Sequence, residues 1–206
     1  IFTERLILNL MPRVPLIDSA KLPEEYNIIE KKEDQLSAEI DSSFWNRQPT
    51  VRAFSNNPEL GATHVLTNTI MWTETNLSAA EVECVILTIA REFNLEYEWH
   101  DHVFAAIERA GMSETTVRAI YDDKLEQLDR TYRLLVEYTA EYVSKHGDVS
   151  DELHDRLAEA YDESTVVGVV MLAGFYVSLS HEIEALGLEL QDEFVGWRLE
   201  NYPHNS

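Results

Sequence analysis

The chain has 206 residues, 45% of them hydrophobic, so it can bury a substantial core. It carries 38 Asp and Glu against 16 Lys and Arg, a formal net charge of −22 at pH 7, which argues against nucleic acid or anionic membrane surfaces as partners. The single cysteine, Cys84, excludes an intrachain disulfide, a CxxC redox pair and a cysteine-based zinc site.

The apolar segments favour neither secretion nor membrane insertion. The first residues do not resemble a signal peptide, because Glu4 and Arg5 interrupt their apolar stretch and no small-residue cleavage pattern follows. The most apolar run, residues 166–177, is short for a bilayer span and contains two glycines, so we predict a buried core helix. With the single cysteine, these features favour a cytoplasmic protein without a membrane partner.

The first part of the chain is predicted to be an arm. Residues 1–40 lack a long apolar period, and we expect only one short helix, near residues 24–32. Residues 41–206 have helical apolar spacing and are predicted to form one domain. Three prolines mark the arm: Pro12, Pro15 and Pro23.

Two helices are expected within residues 49–72, with a break around residues 56–58. The next helix begins with a capping box, Ser78 followed by Glu81. A further helix over residues 96–110 ends before Gly111, a residue typical of the position just past a helix end. The apolar face of the helix that follows Ser78 consists of Val82, Val85, Ile86, Ile89 and Phe93.

Four further helices are predicted after Gly111. We predict a short one from Ser113, one over residues 125–145, one from Ser150 and a long one over residues 164–186 that stops at Gly187. No segment has the sustained alternation of a strand, so the predicted fold is all-α in a single domain. The long apolar last helix and the many aromatic residues favour a homo-oligomer, although a buried core also explains them.

Two histidines, His100 and His102, suggest a chelating or catalytic pair at first sight. Residues two apart on a helix point to nearly opposite sides, so they cannot hold one ion together. Glu98, one turn before His102, shares its face, and a carboxylate there raises the basicity of the imidazole. We therefore pair Glu98 with His102. The alternative interpretation is that His102 has only a structural role and that Glu98 is a solvent-exposed acid.

Glu83 is the most anomalous residue of the preceding helix, because its helical neighbours are apolar. A carboxylate in such a setting is costly unless it is paired or protonated, and burial raises its pKa towards the range useful for proton transfer. If the two helices form an antiparallel hairpin, Glu83 faces the part of the second helix that carries His102. The three residues together indicate an acid–base site. The apolar helical neighbours of Glu83 are Ala79, Ala80, Ile86, Leu87 and Ala90.

The stretch LSAAEVECVILTIAREFNLEYEWHDHVFAAIERAGMSETTVRAI, residues 77–120, resembles the core motif of carboxymuconolactone decarboxylase-like and alkyl hydroperoxidase D-like proteins. The proline-containing lead-in and the C-terminal helices are also similar to those of the family. The resemblance implies an all-α bundle built around a helical hairpin, with the family's helix glutamate at Glu83 and its terminal histidine at His102.

The same resemblance argues against peroxidase chemistry. The positions of the two peroxidase cysteines are occupied by Leu95 and Glu98, and that of an intervening histidine by Tyr97. Cys84 lies on the earlier helix and does not replace either thiol. Without a nucleophilic thiolate and a resolving partner, the dithiol reaction has no route.

The resemblance instead implies a cofactor-independent lyase or isomerase, decarboxylase-like, that acts by proton transfer on a small lactone, carboxylated or carbonyl-containing substrate. His102 is the expected acid or base, assisted by Glu98 and Glu83, and Tyr97 and Trp99 are expected to bind the substrate. A site rich in carboxylates disfavours a di- or tricarboxylate.

Two other interpretations stay open. A non-catalytic oligomeric binding or assembly protein of the same fold would have a closed, solvent-free cluster around Glu83. A metal site built from Glu83, Glu98 and His102 is the weaker alternative, since two carboxylates and an imidazole suit several divalent ions. We expect no metal and no other cofactor.

Overall fold

A computed structural model describes residues 12, 13, 15, 16 and 48–203 of the chain. These residues form helices and connecting turns and contain no strand, which confirms the all-α prediction for this part of the protein. The predicted end of the arm at residue 40 and the predicted helix near residues 24–32 lie outside the described residues.

The described α-helices are α1 (Pro49–Phe54), α2 (Pro58–Thr73), α3 (Ala79–Phe93), α4 (Glu96–Phe104), α5 (Glu114–Tyr121), α6 (Arg130–Ser144), α7 (Asp151–Ala160) and α8 (Glu163–Leu186). A π-turn (Ala105–Arg109) follows α4 directly, and a 3-10 turn (Leu125–Gln127) precedes α6. The chain divides into two compact units, and α8 runs from the second into the first.

The first unit comprises Ile1–Thr73 and His181–Glu189, and its described part contains α1, α2 and the end of α8. The predicted break around residues 56–58 is confirmed, because α1 ends at Phe54 and α2 begins at Pro58. Gly61 allows the two helices to approach closely, since a Cβ there would lie 2.8 Å from the Phe54 carbonyl oxygen. The Arg13 backbone N–H donates to the Leu186 carbonyl at 2.7 Å.

The second unit comprises Glu74–Ser180 and Leu190–Ser206 and is built around α3. The predicted capping box begins this helix: Ser78 Oγ accepts from the Glu81 backbone N–H, and the Glu81 carboxylate accepts from the Ser78 N–H. All residues from Val82 to Ala90 are buried, because α4, α5, α6 and the π-turn all pack on this helix. The core of the second unit includes Ile86, Leu87, Ile89, Trp99, Ile120, Leu135, Leu157, Leu172 and Tyr176.

Two predicted helices differ from the structure at one end. The predicted helix over residues 125–145 begins only at Arg130, because the Asp129 carboxylate caps it by accepting from the Tyr132 N–H at 2.9 Å. The predicted helix over residues 96–110 is α-helical only as far as Phe104, and the π-turn accommodates one extra residue before Gly111, whose φ is 71°. Such π-turns are frequent at functional sites.

The last helix, α8, is mostly apolar and 24 residues long. By length and composition alone it meets the requirement for crossing a bilayer, which is weak evidence because buried core helices also meet it. Its second turn passes very close to another segment of the second unit: a Cβ at Gly168 would lie 2.9 Å from the Thr75 carbonyl oxygen. The side chains of Val167 and Met171 are exposed.

Candidate functional site

The helical hairpin of α3 and α4 brings Glu83 and His102 into contact. Glu83 lies in the second turn of α3 and is 0% exposed, and His102 lies near the end of α4. The Nδ1 atom of His102 is 2.9 Å from Oε2 of Glu83, which is hydrogen-bonding distance. The predicted meeting of these two residues across the hairpin is therefore confirmed.

Glu98 approaches the other nitrogen of the same imidazole. It is buried one helical turn before His102, and its Oε2 atom lies 3.4 Å from Nε2. This is an ion-pair distance, but the contact lacks the geometry of a hydrogen bond. The imidazole thus lies between two buried carboxylates, with a short contact at Nδ1 and a longer one at Nε2.

Two carboxylate oxygens of this cluster retain their capacity to accept hydrogen bonds. Neither Oε1 of Glu83 nor Oε2 of Glu98 has a hydrogen-bond partner within the described part of the chain, although both atoms are buried. Buried polar atoms of native proteins usually have such a partner. Both oxygens therefore have lone pairs that no described group uses.

The protonation of the cluster follows from its burial and its charges. Burial opposes a charge on His102, but the attraction of Glu83 and then Glu98 outweighs it and raises the pKa of His102 to about 10. Burial also raises the pKa of Glu83, against the attraction of His102. Both shifts mean that the cluster holds protons more tightly than the separate groups would in water. His102 is therefore an imidazolium near neutral pH.

Two further residues belong to this environment and were not predicted. Burial, followed by the negative charge of Glu98, raises the pKa of Asp101 to about 7. Tyr176, a buried residue of α8, packs edge-on against the imidazole of His102, with ring centroids 5.3 Å apart and an interplanar angle of 84°. Asp101 adds a group that titrates near neutral pH, and Tyr176 packs against the imidazole ring of His102.

His100 lies outside the cluster, as predicted. Its Nδ1 accepts a hydrogen bond from the Val195 backbone N–H at 3.1 Å, and its ring packs on Phe104. Burial lowers the pKa of His100. With Nδ1 acting as an acceptor, the neutral imidazole carries its proton on Nε2. His100 therefore anchors the C-terminal segment to α4.

Of the two residues predicted to bind substrate, Trp99 is completely enclosed by protein. Its indole Nε1–H donates to the Gly196 carbonyl at 3.3 Å, and its ring packs against Tyr121 and Trp197. Tyr97 is also buried, at the start of α4. A substrate could reach the Trp99 ring only by displacing one of its aromatic neighbours, so this placement gives Trp99 a packing role.

The cluster does not have the arrangement of a metal centre. Among the described residues, no group of three or more His, Cys, Asp or Glu side chains is placed to hold an ion. Both nitrogens of His102 face carboxylate oxygens, so neither offers a lone pair to a metal shared with Glu83 and Glu98. In this arrangement the three residues form a proton-holding cluster.

Cys84 is adjacent to Glu83 in sequence but has no accessible surface. Burial, then the nearby negative charge of Asp129, raises the pKa of the thiol well above its usual range. A protonated, enclosed thiol is neither a nucleophile nor a redox centre.

Comparison of the chain with models of known protein families and with curated proteins found no match. The family resemblance of residues 77–120 therefore stays a prediction.

Proposed function

We propose that the protein is a cofactor-independent lyase or isomerase that moves a proton at a carbon next to a carbonyl group, with His102 as the acid. The observation that carries this proposal is the position of the His102 imidazole between two buried carboxylates, at 2.9 and 3.4 Å. A histidine held in this way is oriented and protonated before a substrate arrives, as a general acid must be, and its raised pKa makes it a weaker acid than a histidine in water.

The two nitrogens of His102 would have different tasks. Glu83 accepts the hydrogen bond at Nδ1 and fixes the ring, as the buried acid does in catalytic triads. At Nε2 the contact with Glu98 is longer, 3.4 Å, so a substrate oxygen placed there would compete with Glu98 for the N–H. Glu98 would take a proton from the substrate carbon while Nε2–H protonates or stabilises the enolate oxygen, and reversal of these transfers at a neighbouring carbon completes an isomerisation.

For a decarboxylation, the C–C bond to the carboxylate breaks and its electron pair passes to the enolate. The enolate carbon then takes one proton, which His102 supplies and solvent replaces. In both reactions the protein groups act without a cofactor. The reaction would follow the decarboxylase branch of the family that residues 77–120 resemble.

The charges around His102 also favour a substrate class. Glu83, Glu98 and Asp101 bring three carboxyl groups to one imidazole. Besides His102, the cation that attracts Glu83 and Asp101 is the exposed Arg109 at the end of the π-turn. A substrate with several carboxylates would be repelled. We therefore infer a neutral carbonyl compound, a lactone or a monocarboxylate.

Solvent hydrogen exchange tests this proposal without knowledge of the natural product. Candidate lactones, β-keto acids and simple ketones are incubated with the protein in D2O, and loss of the α-proton signal is followed by NMR together with any CO2 release. His102→Gln should slow the exchange by about two to four powers of ten. Glu96→Gln, an exposed acid on the same helix, is the matched control and should leave the rate unchanged.

A structural role for the cluster is the second candidate. It is favoured by the low exposure of the group, 0% for Glu83 and 12% for the His102 side chain, and it fits the interpretation as a binding or assembly protein. In that case His102→Gln lowers thermal stability, and neither exchange nor product is seen with any candidate. Exchange that survives both His102→Gln and Glu83→Gln would refute the proposed role of the two residues in proton transfer.

A further inference from the structure

A groove between α7 and α8 has an apolar floor that the described protein leaves open. Its volume is about 540 Å³, and its lining includes Ala158 and Tyr161 from the α7 side and Val166, Val167, Val170 and Met171 from α8. Val167 is 55% exposed and Met171 is 53% exposed. These two residues are one helical turn apart, so they form a continuous apolar stripe rather than scattered surface residues.

The segment on one side of the groove, α7 and the turn that follows it, is strongly acidic. Residues 151–163 carry six Asp and Glu side chains, all exposed, and one cation, Arg156, which is paired with Glu137. Two of the acids, Asp162 and Glu163, line the groove itself, together with His154. An apolar floor with a negative edge is complementary to a surface that is apolar along one stripe and positive beside it.

We propose that this α7/α8 groove binds an amphipathic helix of a partner protein, with an apolar stripe facing Val167 and Met171 and with Lys or Arg beside the stripe. Recognition of this kind places the residues of a helical stripe into a hydrophobic groove, while charges at the edge determine the orientation and the choice of partner. The inference does not depend on the proposed enzymatic activity.

Charge argues against a second copy of this chain as the occupant. A symmetric contact through the groove would bring the two acidic edges together. Each copy also carries a formal net charge of −22. A basic helix instead neutralises the edge as it covers the floor.

A synthetic peptide tests the proposal directly. The probe is a labelled helical peptide of about 18 residues, with Leu along one face and Lys on both sides of it, and binding is measured by fluorescence anisotropy. We expect saturable 1:1 binding that weakens as the salt concentration rises. A peptide with Glu in place of every Lys should bind at least about tenfold more weakly.

Variants separate docking in the groove from non-specific attraction between opposite charges. Val167→Asp adds an acid to the floor, so mere charge attraction would be unchanged or stronger, whereas docking should weaken at least about tenfold. Leu60→Asp is the matched control, because Leu60 is also an exposed apolar helix residue, 67% exposed, but lies in α2. Its binding should equal that of the parent. Circular dichroism checks that both variants are folded.

Several outcomes would overturn the proposal. One is equal binding of the basic peptide to the parent and to Val167→Asp, and another is equal binding of the acidic and basic peptides. A dimer in sedimentation that dissociates in Val167→Asp would identify a second copy as the occupant. Binding to neutral phospholipid vesicles that Val167→Asp abolishes would identify a lipid surface instead.

Discussion

Replacing Glu83 by Gln removes the negative charge that faces Nδ1 of His102 while it leaves the side-chain volume almost unchanged. The structure therefore predicts a large fall in the pKa of His102 in this variant. In the parent protein the attraction of Glu83 is the largest influence that keeps the buried imidazole charged, and Glu98 contributes less.

The expected size of this change follows from the contact distance. Two unit charges 2.9 Å apart interact by about 6 kcal/mol at an effective dielectric constant of about 20. That energy corresponds to about four pKa units. The amide oxygen of the introduced glutamine can still accept from Nδ1–H and recover part of the loss. The pKa of His102 should therefore fall from about 10 to between about 6 and 8.

The assay is a pH titration of the histidine side-chain ¹⁵N chemical shifts by NMR, which reports both charge and tautomer. His100 is an internal comparison, because it should stay neutral with its proton on Nε2 in both proteins. The control is Glu96→Gln, an exposed acid of α4, which should leave the titration of His102 unchanged.

Two results would refute this reasoning. The first is a His102 that is already neutral at pH 7.5 in the parent, because the two carboxylates would then fail to outweigh burial. The second is a shift smaller than about one pKa unit in Glu83→Gln. Either result would also remove the main support for His102 as a charged general acid.

The fold itself should respond to pH and to local changes. Asp101 and His102 have folded-state pKa values of about 7 and about 10, both above their unfolded values, so the native state binds extra protons. Urea unfolding should therefore show stability falling between about pH 4 and pH 7 through Asp101 and between about pH 6.5 and pH 10 through His102. Asp129→Ala removes the cap of α6 and should cost about 1 kcal/mol of unfolding free energy. Gly168→Ala should cost about 1 to 3 kcal/mol, because its Cβ meets the Thr75 carbonyl.

Each of these predictions has a clear contrary result. Stability that is constant or rises between pH 5 and pH 9 would contradict the tight proton binding of the cluster. An Asp129→Ala variant as stable as the parent would mean that α6 does not need its cap. A Gly168→Ala variant of full stability would show that α8 can move away from Thr75 at little cost.

The parts of the site that the sequence predicted depend on contacts within one hairpin. The ring of apolar neighbours around Glu83 follows from helical spacing alone, and the Ser78 capping box sets the start of α3. The short connection between α3 and α4 then brings Glu83 to His102. Each of these steps uses residues close in sequence, so periodicity and capping were sufficient to find the pair.

The unpredicted parts depend on residues far apart in sequence. Tyr176 reaches His102 from the last helix, α8, and no local pattern marks it. The pKa of Asp101 depends on how the surrounding elements bury it. The sequence does not show that Trp99 is covered, because its neighbour Trp197 comes from the C-terminal segment. Trp99 is therefore predicted to bind substrate although it is enclosed by protein. The Asp129 cap is a local signal, but the prediction of a helix over residues 125–145 passes over it.

Because Cys84 is buried, its reactivity can report on local unfolding of the protein. It is the only thiol in the chain, it follows Glu83 on the central helix, and it is shielded from solvent and held protonated. An alkylating reagent can therefore react only when α3 becomes exposed. The labelling rate of the parent protein then measures how often the helix that carries Glu83 unfolds locally. Comparing this rate with that of Glu83→Gln would show how strongly the buried ion pair of Glu83 and His102 opposes the local unfolding.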